Sequence, residues 1–150
     1  MAIVVTCAHG YNALNDVVVL TQDGRSFQSN VLGVDTLHDI MVVRIQDPGI
    51  TPMMITKEVP EVGDKLFMAG FAGGQFSGFK GLAGVMEKVV SPSKNGESNF
   101  LAASFIATPG CSGGPILNAR GEVVSIVTGS GENTVGPILA LTFKYVKFVQ

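Results

Sequence analysis

The feature that most limits how this chain folds is a cadence. Short runs rich in Val, Ile, Leu and Phe recur along it, and Gly, Pro, Asp or Asn closes almost every one. "AIVVTCAH" (2–9) and "DIMVVRI" (39–45) read as buried strands, the second ended by Asp47-Pro48-Gly49. "DVVVLTQDGRSFQSNVLGVD" (16–35) reads as a hairpin, with Asp23-Gly24 between a Val-rich run and an alternating one. "KLFMAGFAGG", "FKGLAGVMEKVV" and "FLAASFIA" read as further strands, and "SPSKNGES" (91–98) as an exposed turn. "PILNARGEVVSIVTGSG" (115–131) reads as a hairpin turning at Ala119 to Gly121. "VGPILALTF" reads as a last strand, and "TFKYVKFVQ" as a short closing helix capped by Thr142. Helical periodicity is almost absent. Short strands at regular spacing imply an all-β barrel or sandwich, not an alternating α/β chain.

The bulk numbers narrow the function. An apolar fraction of 46% against 15% charged excludes disorder. A net charge of −2 with no Lys/Arg cluster excludes nucleic acid as an expected partner. No apolar run is long enough to span a membrane. "MAIVVTCAHG" is too short for a signal core and lacks basic residues before it. Compartment is left open. Cys7 and Cys111 make no disulfide framework and are expected as free thiols.

One stretch asks for chemistry: "IATPGCSGGPILN", Ile106 to Asn118. Nucleophilic catalysis by a serine needs a base, a carboxylate to hold that base, and N–H donors for the oxyanion. Only two histidines exist, His9 and His38. His9, Asp39 and Ser112 each lie at the end of an apolar run. An Asp at the mouth of a core needs a partner, and an imidazole N–H suits it. Gly110 allows a turn that aims N–H groups of Gly110 and Ser112 at one spot, while Gly113 and Gly114 leave room for a substrate. Singly, these residues also read as a turn serine, a capping aspartate and a structural histidine. Their chain order, His then Asp then Ser, is one in which the triad recurs.

"VVTCAH", "HDIMVVRI" and "TPGCSGGPILN" resemble the three motifs of trypsin-fold serine proteases. The stretches between them resemble the high-temperature-requirement (Deg) branch, and the likeness runs from Ile3 to about Val146. Pro109 to Pro115 matches the family's Pro-Gly-x-Ser-Gly-Gly-Pro box, and His9 and Asp39 stand thirty residues apart, as the family has them. The resemblance implies two six-stranded-type antiparallel β-barrels with the site in the cleft between them: barrel one about 1–50, linker about 51–64, barrel two about 65–150. It implies His9 as general base, Asp39 as its orienting carboxylate and Ser112 as nucleophile. No metal or cofactor is expected.

Four departures stand out. The chain opens almost at the strand carrying His9, so the first barrel is expected to lack its opening strands and to be completed by a partner segment or another copy. No PDZ module is expected within these residues. Gly10-Tyr11 follows His9 where the family has an aliphatic residue. Cys111 stands where the Deg branch has Asn, and its thiol is expected to be open to oxidation or alkylation. Cys111 as the nucleophile, as in picornavirus-type proteases, is a minor alternative, because that position belongs to Ser112. Cys7, His9 and Cys111 as zinc ligands are too few for a structural site.

The P1 pocket is expected from Ser104–Ala107 and Ile126–Ser130, with Ala107, Thr108, Val127, Thr128 and Gly129 as substrate-binding residues. No charged side chain lies there, which implies a small apolar P1 residue. Val127–Gly129 would also accept an extended peptide as an added strand, unless they form only a buried edge. The leading reading is a serine endopeptidase acting on polypeptide. Its alternatives are a protease-fold binding module without turnover and a viral polyprotein-processing protease of the same fold.

Overall fold

The computed structural model describes residues 1–74, 78–91, 99–129 and 133–143. Among them the chain forms eleven strands, one short α-helix and a 3-10 turn at Ala72–Gly74, and it divides into two compact units. The first spans Met1–Pro52, and the second begins at Met53.

The first unit is built on β1 (Ala2–Thr6), β4 (Asn30–Asp35) and β5 (Ile40–Ile45), a three-stranded antiparallel sheet in the order β1-β5-β4. The central strand explains its own sequence. Ile40, Val42, Val43 and Ile45 are at most 2% exposed, so both faces of the "IMVV" run are covered. Each such side chain is worth about 1.5–3 kcal/mol on burial. Met41 and Val43 pack with Ala8, Val4, Val17 and Val19. A bulge between Val31 and Gly33 bends β4 along β5.

The expected hairpin forms from β2 (Val18–Leu20) and β3 (Ser26–Gln28), closed by the Thr21 N–H to Arg25 carbonyl bond at 2.9 Å. Gly24 takes a φ of +91°, which is why a glycine stands there. Arg25 and the Thr21 hydroxyl bond the Asp23 carboxylate and hold it down to about 2.

The second unit is a barrel. β6 (Lys65–Phe71), β7 (Phe79–Val90), β8 (Phe100–Ala103), β9 (Pro115–Leu117), β10 (Val123–Ile126) and β11 (Thr134–Pro137) form one sheet, ordered β10-β9-β6-β7-β8-β11. The chain leaving β10 then bridges to β11 through Gly129 and Val135, and closes the sheet on itself. Twelve-residue β7 serves two neighbours, pairing with β6 and β8, with a bulge between Met86 and Lys88. Leu66, Met68, Met86, Leu101, Ile116 and Val124 fill the interior.

In the stretch read as a linker, Thr56 N–H meets the Val123 carbonyl at 3.1 Å, and Val123 N–H meets that of Met54 at 2.7 Å. Two expectations about element bounds are corrected. The strand over 100–107 stops at Ala103. The last strand stops at Pro137, and the helix α1 (Leu139–Thr142) follows at once. Thr142 therefore ends that helix instead of capping it, its hydroxyl donating back to the Ile138 carbonyl at 3.0 Å. The exposed turn over 92–98, Ser130 of the P1 wall and the closing segment after 143 lie outside the described residues.

Candidate active site

In the first unit, β1 runs out at Thr6 and delivers Cys7, Ala8 and His9 to one end of the sheet. The four-residue loop joining β4 to β5 delivers Asp39 to the same end. His9 Nδ1–H donates to Asp39 Oδ2 at 2.6 Å. The other carboxylate oxygen is already committed, accepting the N–H groups of Ala8 at 2.8 Å and His9 at 2.6 Å. Two main-chain donors thus fix the carboxylate, and the carboxylate fixes the ring. Because Nδ1 carries the proton, the lone pair of a neutral His9 lies on Nε2.

The exposures differ: 51% for the His9 side chain against 15% for Asp39. The base reaches solvent while its partner is sheltered. Asp39 takes a φ of +57°, the left-handed region, in which it is the sole described non-glycine residue. Aspartate tolerates this better than most side chains, because its short polar group bonds locally.

Cys7 Sγ lies 4.0 Å from His9 Nε2, and both residues line an open cavity of about 500 Å³ with Tyr11, Asn12 and Asp16. Burial, and then the Asp39 carboxylate, push the Cys7 thiol up, against smaller opposing hydrogen bonds from Thr6 and its own backbone. It stays a neutral thiol.

In the second unit, the box is two successive β-turns sharing Cys111. Cys111 N–H reaches back to the Thr108 carbonyl at 3.2 Å, and Gly114 N–H to that of Cys111 at 3.0 Å. The first turn has Pro109 then Gly110 at its corners, with φ +95° at Gly110. The second has Ser112 then Gly113, with φ +86° at Gly113. Both carry the type II signature, which needs positive φ at the second corner. A Cβ on Gly110 would stand 2.5 Å from the backbone nitrogens of Gly73 and Gly74, so no other residue fits.

Ser112, at the first corner of its turn, is exposed, and Cys111 is 1% exposed within the barrel core. The Cys111 side chain packs against Gly70, where an added Cβ would meet its sulfur at 3.1 Å. One expectation falls with that burial, because the thiol is sheltered from oxidants and alkylators. The same burial weighs against the minor alternative of Cys111 as nucleophile. Both cysteines are free.

The N–H groups of Cys111, Gly113 and Gly114 are spent on Thr108, Val127 and Cys111 carbonyls. Among the described residues, those of Gly110 and Ser112 donate to none. They are the pair named from sequence as oxyanion donors.

The residues expected to bind substrate differ in burial. Ala107 and Val127 are core residues, at 3% and 2% exposure. Ala107 N–H is held by Thr134 Oγ1 at 2.7 Å. The N–H groups of Val127, Thr128 and Gly129 all donate inside the barrel, to Gly114 and Val135. Those three N–H groups are therefore bonded within the barrel. Thr108 is exposed, and Thr128 and Gly129 are half-buried.

His38, to which the sequence reading gave no role, also holds a carboxylate. Its Nδ1–H donates to Asp35 Oδ2 at 2.7 Å, and its N–H donates to Asp35 Oδ1 at 3.0 Å. An Asp and a His three residues apart across a turn was the available signal.

Comparison with known proteins bears on the family and the fold. The model of the trypsin-like peptidase domain matches residues 2–126. The chain is 31% identical to the putative serine protease HhoA of Synechocystis over 99% of its own length and 39% of that protein's. It is 30% identical to the serine endoprotease DegS of Escherichia coli over 94% of its own length and 42% of that protein's. It thus spans about two-fifths of the curated relatives it matches. A crystal structure of the serine endoprotease from Yersinia pestis superposes with a TM-score of 0.78 at 24% identity, covering 95% of this chain and 51% of that one. That superposition carries the fold alone; HhoA and DegS are proteins the chain is similar to, and the match over residues 2–126 shows that it belongs to the trypsin-like peptidase domain family.

Proposed function

We propose that the chain is the catalytic domain of a serine endopeptidase that hydrolyses peptide bonds through His9, Asp39 and Ser112. The observation that carries the reading is the His9–Asp39 bond, in which a carboxylate anchored by two main-chain N–H groups accepts a hydrogen bond from His9 Nδ1–H at 2.6 Å. That leaves Nε2 as the acceptor a serine hydroxyl needs.

In this reading Ser112 Oγ attacks the scissile carbonyl as His9 Nε2 takes its proton. Asp39 stabilises the imidazolium so formed. The undonated N–H groups of Gly110 and Ser112 receive the oxyanion, an interaction worth about 3–4 kcal/mol in transition-state energy per donor. The imidazolium then gives its proton to the leaving amine, and the acyl-Ser112 ester forms. Water, deprotonated by His9, releases the acid. Thr108, Thr128 and Gly129 contact the substrate beside the acyl group, and the preferred P1 residue is small and apolar. No cofactor enters any step.

The experiment is labelling with a fluorophosphonate followed by peptide mapping, alongside cleavage of an unstructured protein. Adduct on Ser112 that disappears in His9→Ala, with cleavage lost in both His9→Ala and Ser112→Ala, supports the reading. A folded chain that binds peptide but neither labels nor cleaves it is a binding module instead.

A further inference from the structure

We infer that His38 is a positioning residue for the active-site pair: its bond to Asp35 sets the loop that carries Asp39, and through Asp39 it sets the orientation of His9. The inference rests on the reading of His9 and Asp39 as base and carboxylate.

Asp35 is the last residue of β4 and pairs with Ile40, the first of β5. The residues between them, Thr36 to Asp39, form the connecting loop. His38 is its third residue and Asp39 its fourth. Asp35 grips His38 twice, through the main chain at 3.0 Å and through the ring at 2.7 Å. Both side chains are nearly out of water, at 4% and 10% exposure. A bond across a loop from its first flanking residue to its third position removes most of the loop's freedom. What is left is the one residue in a left-handed conformation, Asp39 at φ +57°. That conformation is sparsely populated for a residue with a side chain and persists only where its surroundings over-determine it.

Asp39 has its own demands on the other side. Its Oδ1 takes the Ala8 and His9 N–H groups, its Oδ2 takes the His9 ring, and its main-chain carbonyl takes Ala8 N–H again at 3.2 Å. Four bonds converge on one residue whose backbone must hold a strained angle. A rotation of the loop would move both carboxylate oxygens together. The buried pair is suited to prevent it.

Packing alone does not account for such a pair. Burying a His and an Asp forfeits their hydration, and apolar side chains of like volume fill such a space at least as stably. What an apolar residue cannot do is donate to Asp35. Asparagine can, because its side-chain amide nitrogen stands at the same bond distance from Cβ as Nδ1 of histidine.

The test uses His38→Leu, which keeps volume, and His38→Asn, which keeps the donor. The first readout needs no turnover: the proton in the short His9 Nδ1–H···Oδ2 bond is strongly deshielded and gives a downfield resonance in the resting protein. The second is the rate of fluorophosphonate labelling of Ser112. His38→Leu is expected to lose or broaden the resonance and to slow labelling on the order of a hundredfold, the loss that a misplacement of about 1 Å brings. His38→Asn is expected to keep the resonance and label within a few-fold of the parent. A folded His38→Leu chain with both readouts intact overturns the inference. So does His38→Asn failing as badly as His38→Leu, because ring packing is then the role. Should His38→Leu not fold, Asp35→Asn carries the test, with the same loss expected and an undisturbed resonance overturning the inference. If the resonance behaves as expected but Ser112 labels in no variant, the positioning stands and the protease reading falls.

Discussion

His9–Asp39 and His38–Asp35 are made the same way. In each, a ring Nδ1–H meets Oδ2, at 2.6 and 2.7 Å, while Oδ1 accepts a main-chain N–H. They sit within thirty residues of each other on one small sheet, and they differ in access to water: 51% exposure for the His9 side chain against 4% for His38. The lesson is that a His–Asp bond does not make a catalytic base. A base must also present its second nitrogen to a reacting group, and a buried ring does not. The same sorting operates in the box, where Cys111 faces the core and its neighbour Ser112 faces out.

The comparison breaks first at the histidines. His9→Ala removes the proton acceptor, and peptide cleavage should fall on the order of a millionfold, as it should in Ser112→Ala. Asp39→Asn keeps the shape but leaves the wrong tautomer, and kcat should drop about ten-thousandfold. Steady-state kinetics on one peptide series checks both, and a Ser112→Ala enzyme of unchanged rate would remove the triad altogether. His38→Leu, acting only through the loop, should cost about a hundredfold in kcat with KM little changed.

Smaller effects sharpen the second contrast. Cys111→Ala empties a little of the barrel core and should cost about 1 kcal/mol of stability, read from denaturant midpoints. Its cleavage rate should stay near that of the parent; a dead, folded Cys111→Ala variant would return the cysteine to the mechanism. The least effect is one of reactivity. Iodoacetamide should modify Cys7, slowly, and leave Cys111 untouched in the folded chain. The Cys7 thiol is raised by burial and by Asp39, so its labelling should accelerate only at a pH above that of an ordinary thiol. The sign for stability follows: a raised thiol favours the fold fully below the unfolded thiol value, and that contribution is lost as pH climbs through the folded one.

Much of this was legible in the residues. The Asp23-Gly24 turn, the Ala119–Gly121 turn and the twelve residues of β7 follow from local propensity and alternation, which act over a few residues. Pro109-Gly110 and Ser112-Gly113 announced their turns because only glycine relaxes at positive φ. What sequence hid was set at longer range. Whether Val127–Gly129 were a free edge depended on a partner strand at Thr134–Pro137 closing the barrel. The attachment of Met53–Asp64 depended on Val123, some seventy residues on, and on Met86. The left-handed Asp39 was not legible locally, because two of the bonds at its carboxylate come from Ala8 and His9 thirty residues away. The buried role of His38 was hidden for the same reason: spacing gives the partner, and burial comes from the sheet.

The central claim is that His9, and not His38, activates Ser112. The most direct measurement is the rate of fluorophosphonate labelling, mapped to the residue, across pH in the parent, His9→Ala and His38→Asn chains. The account predicts a single adduct on Ser112 in the parent and in His38→Asn. Its rate should rise with pH through one ionisation, because imidazole must be neutral to accept the proton. His9→Ala should give no adduct. Labelling of Ser112 that survives His9→Ala but is abolished in His38→Asn would contradict it.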